Sequence, residues 1–193
     1  MPTFELLSPG KYLPGDYWKQ IAPATERVEV EIGPGDGGFL LASAAAHPDT
    51  LFVGIEVRRA WAEKLRGRAA GLCNVEVVHG DARWIVEFIL ASESIDRYHL
   101  YFPDPWWKKR HHKRRLFTEG FCRGVARTLR PGGEVLLVTD VEVVRGLAEQ
   151  GLEAAGLDPL PWSRDPQDPA QSSYERKYRR QGRRLFEAKF VKP

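Results

Sequence analysis

The stretch "VEVEIGPGDGG", residues 28–38, runs from an alternating apolar segment straight into closely spaced glycines, and its reading decides the fold. VEVEI (28–32) has the β-branched content of a strand. The glycines of GPGDGG (33–38) allow a tight turn and a close approach of backbone to ligand, because no Cβ stands in the way. Helical periodicity resumes in FLLASAAAH (39–47). The same alternation continues downstream. LFVGIE (51–56), NVEVVHGD (74–81, with its turn), IDRYHLYF (95–102), EVLLVTD (134–140) and RRLFEAKFV (183–191) read as strands. Segments 58–70, 82–91, 114–130 and 141–156 read as helices, the third ending at the breaker Pro131-Gly132-Gly133. Residues 158–172, rich in Pro, Asp and Ser, read as a loop. Short apolar strands alternating with helices predict an α/β protein whose doubly wound, mostly parallel sheet has helices on both faces.

Glycine spacing separates the candidate cofactors. A dinucleotide site requires G-x-G-x-x-G, with pyrophosphate on the following helix N-terminus. Here the pattern is E-x-G-x-G-x-G, built from Glu31, Gly33, Gly35 and Gly37. A carboxylate at Glu31 repels pyrophosphate and suits a cation such as S-adenosylmethionine, which carries a sulfonium and an amine. Glu56 closes the second strand, where it can accept from ribose hydroxyls, and Asp81 follows the third, where methyltransferase folds usually contact adenine. Each acid alone has the ordinary reading of a surface or capping residue. Three acids at successive strand ends, on the edge where such sheets bind ligands, point to S-adenosylmethionine.

Composition narrows the remaining classes. With 193 residues, 42% hydrophobic and 28% charged, the chain is expected to form one domain, 1–193, with an N-terminal arm at 1–27 and a substrate-contacting loop and basic segment at 158–182. No apolar run approaches the roughly 20 residues that span a bilayer, and MPTFELLSPGKY lacks the pattern of a secretory signal. Cys73 and Cys122 form no CxxC pair and read as small buried hydrophobes in a reduced, cytoplasmic protein. The five histidines show no metal-ligand spacing, so no metal is expected. Net charge is only +3, yet KKRHHKRR (108–115) holds six Lys/Arg and no acid, and residues 174–193 hold eight against two acids. The rest of the chain is therefore acidic, and the two basic segments are the footprint of a polyanionic partner, with Arg114 and Arg115 among its phosphate ligands. Whether the protein acts as a monomer or a homodimer stays open here.

The most specific stretch is FPDPWWKKRHHKRRL (102–116), where Pro103 and Pro105 clamp Asp104 at the end of the fourth strand. Trp106 and Trp107 beside it read equally as packing residues or as a surface for a stacked base. With EIGPGDG upstream and SSYERKYRRQG (172–182) downstream, this run resembles the bacterial tRNA (guanine-N7-)-methyltransferases, in the same order from the first strand onward. The resemblance implies a Rossmann-like class I methyltransferase fold of about seven strands. It implies methyl transfer from S-adenosylmethionine to guanine N7 in the variable region of tRNA, at the expected position 46, forming 7-methylguanosine. It further implies that Glu31, Glu56, Asp81 and Asp104 contact the cofactor, with Asp104 also catalytic. Lys108, Asp140 and the segment Ser172, Tyr174 and Glu175 would contact the tRNA. The family usually has Pro where Trp107 stands and Thr where Ser172 stands.

Competing functions leave different traces. An NAD-dependent oxidoreductase conflicts with the glycine spacing and with Glu31. Aminopropyl transfer to a polyamine needs an acidic substrate cleft, where this chain places bases. A non-catalytic RNA-binding protein has no use for Glu31, Glu56 and Asp104. A methyltransferase acting on another RNA or nucleotide is the remaining alternative.

Overall fold

The computed structural model describes residues 13, 14 and 16–193, without the side chains of 109, 112 and 113. Most of the expected arm, residues 1–12 and 15, lies outside the described residues. Strands β1 (Arg27–Ile32), β2 (Thr50–Glu56), β3 (Val75–His79), β4 (Ile95–Tyr101) and β5 (Leu129–Thr139) run parallel. Strands β6 (Asp158–Leu160) and β7 (Phe186–Val191) complete a seven-stranded sheet in the order β3-β2-β1-β4-β5-β7-β6, with β7 antiparallel to both neighbours. The helices are α1 (Tyr17–Ile21), α2 (Gly38–Ala46), α3 (Arg59–Ala69), α4 (Ala82–Phe88), α5 (Glu119–Thr128), α6 (Glu142–Ala154) and α7 (Ser173–Arg180), with a 3-10 helix at Lys109–Arg114. None of them is long and apolar enough to cross a membrane.

The doubly wound reading of the sequence holds, and its reason is visible in burial. Every residue of β2 is buried, as a strand covered on both faces must be. On one face Val28, Val30, Leu51, Val53, Tyr98, Leu100 and Val135 pack with Val86, Phe121, Val125 and Leu152 of α4, α5 and α6. On the other, Phe52 and Val77 meet Leu40 and Ala44 of α2 and Leu65 of α3. That second face changes character toward β4. Glu29 and Glu31 stand in register with Arg97 and His99, and Arg97 with Glu134, so a polar row crosses an otherwise apolar sheet.

Several local expectations are corrected. Segment 114–130 is not one helix: the 3-10 turn ends at Arg114, and α5 starts only at Glu119, behind the Thr118 cap that accepts from the Phe121 N–H at 3.2 Å. Pro131-Gly132-Gly133 lies beyond the end of α5 at Thr128 and does not break β5. It bulges out between the Ile95–Leu129 and Arg97–Glu134 pairs and exchanges hydrogen bonds with Lys192 at 2.8 and 2.9 Å. The expected loop 158–172 opens with β6, an edge strand whose Pro159 lacks an N–H to donate. Within the expected arm, α1 buries Trp18, and β1 begins at Arg27. Cys122 is buried as expected, whereas Cys73 is exposed.

Gly37 shows how tightly the glycine turn is specified. Its φ is +76°, and a Cβ there would lie 2.2 Å from a Leu65 methyl. Gly67, on the exposed surface of α3, has open space around it. Equilibrium urea unfolding should therefore move in opposite directions. Gly37→Ala is expected to lose about 1–3 kcal/mol, and Gly67→Ala to gain about 0.5–1 kcal/mol. Equal effects at the two sites would contradict this account of the turn.

Candidate active site at the carboxyl edge of the sheet

Order reverses between β1 and β4, so their carboxyl ends diverge into the crevice where open α/β sheets bind ligands. The turn after β1 enters that crevice with Gly33, Gly35 and Gly37 all at positive φ. The Gly33 N–H donates to the Ile55 carbonyl at 2.9 Å, and a Cβ at Gly33 or Gly35 would meet nothing within 4 Å. The turn is thus pinned from below and open above. Glu31 lies directly beneath it, 2% exposed, with its Oε2 atom lacking a hydrogen-bond partner among the described residues. Burial, reinforced by the neighbouring Asp36 and Glu56 carboxylates, pushes the Glu31 carboxyl up to about 8, against the opposing charge of Arg164 and the Leu40 N–H. Glu56, also buried, closes β2 and accepts from the Arg58 N–H at 2.8 Å and the Gly35 N–H at 3.3 Å. Asp81 caps α4, accepting from the Arg83 N–H and side chain at 3.0 Å each, and those bonds from Arg83 hold its carboxyl below the usual range.

Asp104 leaves β4 toward the same edge. It is exposed and makes no hydrogen bond or ion pair with the described residues. The backbone on either side of its prolines is unusual, since Phe102 (φ 52°) and Trp106 (φ 45°) both adopt left-handed conformations. Such residues cost on the order of 1–3 kcal/mol each and concentrate at functional sites. Trp106 packs edge-on to His111 at 5.6 Å with the Arg114 guanidinium over its ring at 5.1 Å, so it is a half-buried rim residue. Trp107 stands 65% exposed, and Lys108 and Arg114 are exposed beside it. Arg115 is only partly exposed.

The far wall comes from the ends of β5 and β7 and from α7. Asp140 is paired with Arg183 at 2.8 Å, and the Arg183 guanidinium lies 4.2 Å over the Tyr178 ring. Tyr178 meets Phe102 edge-on at 5.4 Å, and Tyr174, 54% exposed, sits 5.9 Å from Tyr178. Ser172 caps α7 by accepting from the Glu175 N–H at 3.1 Å. Ser173 hydrogen-bonds Asp36, so α7 is tied directly to the glycine turn.

Glu175 departs from the expected substrate contact. It is fully buried, accepting from Arg164 Nε at 3.0 Å and from Arg179 at 2.9 Å, and in this arrangement it faces no macromolecule. Arg164 and Asp36 are the residues that sequence reasoning missed. Asp36 sits inside the glycine motif, a signal available from the start. Arg164 lies in a Pro/Asp-rich stretch where nothing local marks a buried arginine.

The donor set fits a small cation. Glu31 has an unsatisfied buried oxygen, two further acids stand close by, and the glycine turn leaves an open cradle. Chain comparisons agree. A family profile described as a putative methyltransferase matches residues 25–188. The tRNA (guanine-N7-)-methyltransferase of Myxococcus xanthus is 39% identical over 173 residues, covering 86% of this chain and 84% of its own. Its counterpart in Anaeromyxobacter dehalogenans is 38% identical over 183 residues, covering 92% of this chain and 91% of its own. The crystal structure of the 16S rRNA methyltransferase KamB superposes with a TM-score of 0.69 at 19% identity, over 95% of this chain and 96% of that one, a likeness of fold.

Glu31 gives the site a pH signature. Between its ordinary value of 4.5 and about 8, an unfolded chain gives up this proton while the folded chain keeps it, so stability falls as pH rises through that window. Glu31→Gln removes the dependence. Its melting temperature should exceed that of the parent by several degrees at pH 8.5, with the gap closing near pH 5. A gap independent of pH would contradict the burial of an uncompensated acid.

Proposed function

The chain belongs to the bacterial tRNA (guanine-N7-)-methyltransferase family, and on that premise we propose that it methylates N7 of a guanine in the variable region of tRNA, using S-adenosylmethionine. The observation that carries this reading is a junction. An acidic crevice meets a basic, aromatic surface at Asp104, a carboxylate with no partner among the described residues. S-adenosylmethionine, when bound, supplies a methyl group on a sulfonium and is therefore cationic. Glu31, Glu56 and Asp81 would hold it, with Gly33 and Gly35 giving its backbone-side approach.

Guanine N7 presents a lone pair without a proton, so no residue has to serve as a base before transfer. The protein's part is positioning and electrostatics. Asp104 is the better placed carboxylate to accept from guanine N1–H and the exocyclic amine, because Asp140 is occupied by Arg183. Such a pair selects guanine over adenine and offsets the positive charge that arrives on the base. Phe102, Tyr174 and Tyr178 offer rings against which an extruded base can stack. Exposed Lys108, Arg110 and Arg114 on one side, with Arg176, Lys177 and Arg180 of α7 on the other, would take the RNA backbone. Glu175 acts from the interior, by holding α7 rather than by touching RNA. With tRNA as its substrate, the protein would act in the cytoplasm.

Incubation with labelled S-adenosylmethionine and unmodified tRNA, followed by nucleoside analysis, should yield 7-methylguanosine. Label found only in another nucleoside, or in none, would overturn the proposal. The aspartates separate in turn. Asp104→Asn is expected to slow transfer by roughly 10- to 100-fold, the loss of a charged hydrogen-bond pair, while Asp140→Asn slows it less. The reverse order would exchange their roles. Lys108→Ala combined with Arg114→Ala should weaken tRNA binding and flatten its dependence on log salt by up to about two phosphate contacts. An unchanged slope would remove this face from the RNA surface.

A further inference from the structure

We propose that Arg164 is a positioning residue for methyl transfer, one side chain that fixes both the helix carrying the tRNA-facing groups and the sheet face that presents Glu31 to the cofactor. The inference rests on the function proposed above and adds a residue to it.

Arg164 is 5% exposed, although it belongs to a segment of prolines and aspartates. All of its nitrogens are engaged. Nε donates to both oxygens of Glu175 at 3.0 Å, one terminal nitrogen donates to the Tyr101 hydroxyl at 2.9 Å, and the other donates to the Ala170 carbonyl and pairs with Asp168 at 3.3 Å. Its plane lies 5.4 Å over the Phe39 ring and 4.8 Å over Tyr101. Phe39 stands in the first turn of α2, directly after the glycine turn, so the guanidinium is wedged between α2, β4 and α7.

Two lines of influence leave this point. Toward the substrate, Arg164 and Arg179 together neutralise Glu175, and Arg179 also reaches Glu187 on β7 at 3.1 Å. That buried set pins α7, which is also held by the Ser173–Asp36 hydrogen bond to the glycine turn and by the packing of Tyr178 on Phe102. Tyr174, exposed on α7, therefore owes its placement to a cation it does not touch. Toward the cofactor, donors run in one direction. Arg164 donates to the Tyr101 oxygen, the Tyr101 hydroxyl to His99 Nδ1 at 2.9 Å, and His99 Nε2–H to Glu29 at 2.7 Å. Burial holds His99 below its usual value and so neutral, which fits that direction. Glu31 adjoins this chain, faced by Asp36 from the glycine turn, Glu56 from β2, Tyr101 from β4 and Arg164. Arg164 is the cation among these groups.

A lysine at this position keeps the charge but cannot make the fork, which separates the two influences. Arg164→Lys should raise the KM for tRNA by about tenfold with kcat changed far less, and should leave the pH midpoint of S-adenosylmethionine binding near that of the parent. Arg164→Gln should raise the KM similarly and also move the binding midpoint upward by about one pH unit. Tyr101→Phe removes only a hydroxyl and guards against a variant that fails to fold; its KM for tRNA should rise by a smaller factor. Hydrogen exchange in Arg164→Gln should show lost protection at residues 173–180 and retained protection in β1 and β4. Parent-like KM, midpoint and exchange in Arg164→Gln would overturn the proposal. If the unaltered protein makes no 7-methylguanosine, the proposed function fails instead, while the exchange pattern and the binding midpoint still decide the role of Arg164.

Discussion

A row of paired polar and charged side chains across one face of the sheet constrains much of what surrounds the site. Glu29, Arg97, His99, Glu134 and Lys189 lie in a row where a parallel sheet normally carries aliphatic side chains, and each is paired within the row. Glu29 and His99 are buried, whereas the side chains of Arg97, Glu134 and Lys189 stay 20–29% exposed, so the row grades from a buried hydrogen bond to partly solvated ion pairs. These pairs tie β1, β4, β5 and β7 together across the sheet. Its continuation through Tyr101 and Arg164 fixes α7. One oxygen escapes the pattern, Glu31 Oε2, and it lies at the floor of the crevice. The fold satisfies its other buried acids and leaves this one unmatched among the described residues, the arrangement the proposed cation site requires.

Much of this was legible in the sequence, for identifiable reasons. Apolar strand runs and the glycine turn report local structure, so the order of strands and helices from β1 through β5 could be read directly, whereas α1 within the expected arm could not. Glu31, Glu56, Asp81 and Asp104 fall at strand ends, which makes their convergence on one edge a consequence of parallel topology. The C-terminal third was less readable. Whether Arg164 or Glu175 is buried depends on Tyr101 and Phe39, more than 60 residues away in sequence. Neither periodicity nor composition carries such a pairing. The same applies to β6, a three-residue edge strand recognisable only by its partner β7. The expected helix 114–130 misled in a milder way: it takes in Arg114 and Arg115 of the basic run, yet the 3-10 turn ends at Arg114 and α5 starts only at Glu119.

The site divides the labour between its halves. On the proposed cofactor side, acids would act through low dielectric, where a carboxylate and a cation attract far more strongly than in water. On the proposed RNA side, exposed arginines and lysines would act through solvent, a contribution that is salt-dependent and blind to sequence. Between them the Phe102–Trp106 segment holds Asp104 by backbone restriction, with strain at both ends and no side-chain partner among the described residues. Restricting a carboxylate in this way keeps it desolvation-ready and free to accept, which a structural ion pair would prevent. A reaction that needs no general base can be served by this arrangement, because orientation and field are all the protein has to provide.

The account stands or falls on Glu31 exchanging its proton for the cofactor's charge. Calorimetric titration of S-adenosylmethionine at pH 7, in buffers of differing ionisation enthalpy, counts that proton. The account predicts release of about one proton per site in the unaltered protein and none in Glu31→Gln. Binding without proton release, or equal release from both proteins, would contradict it.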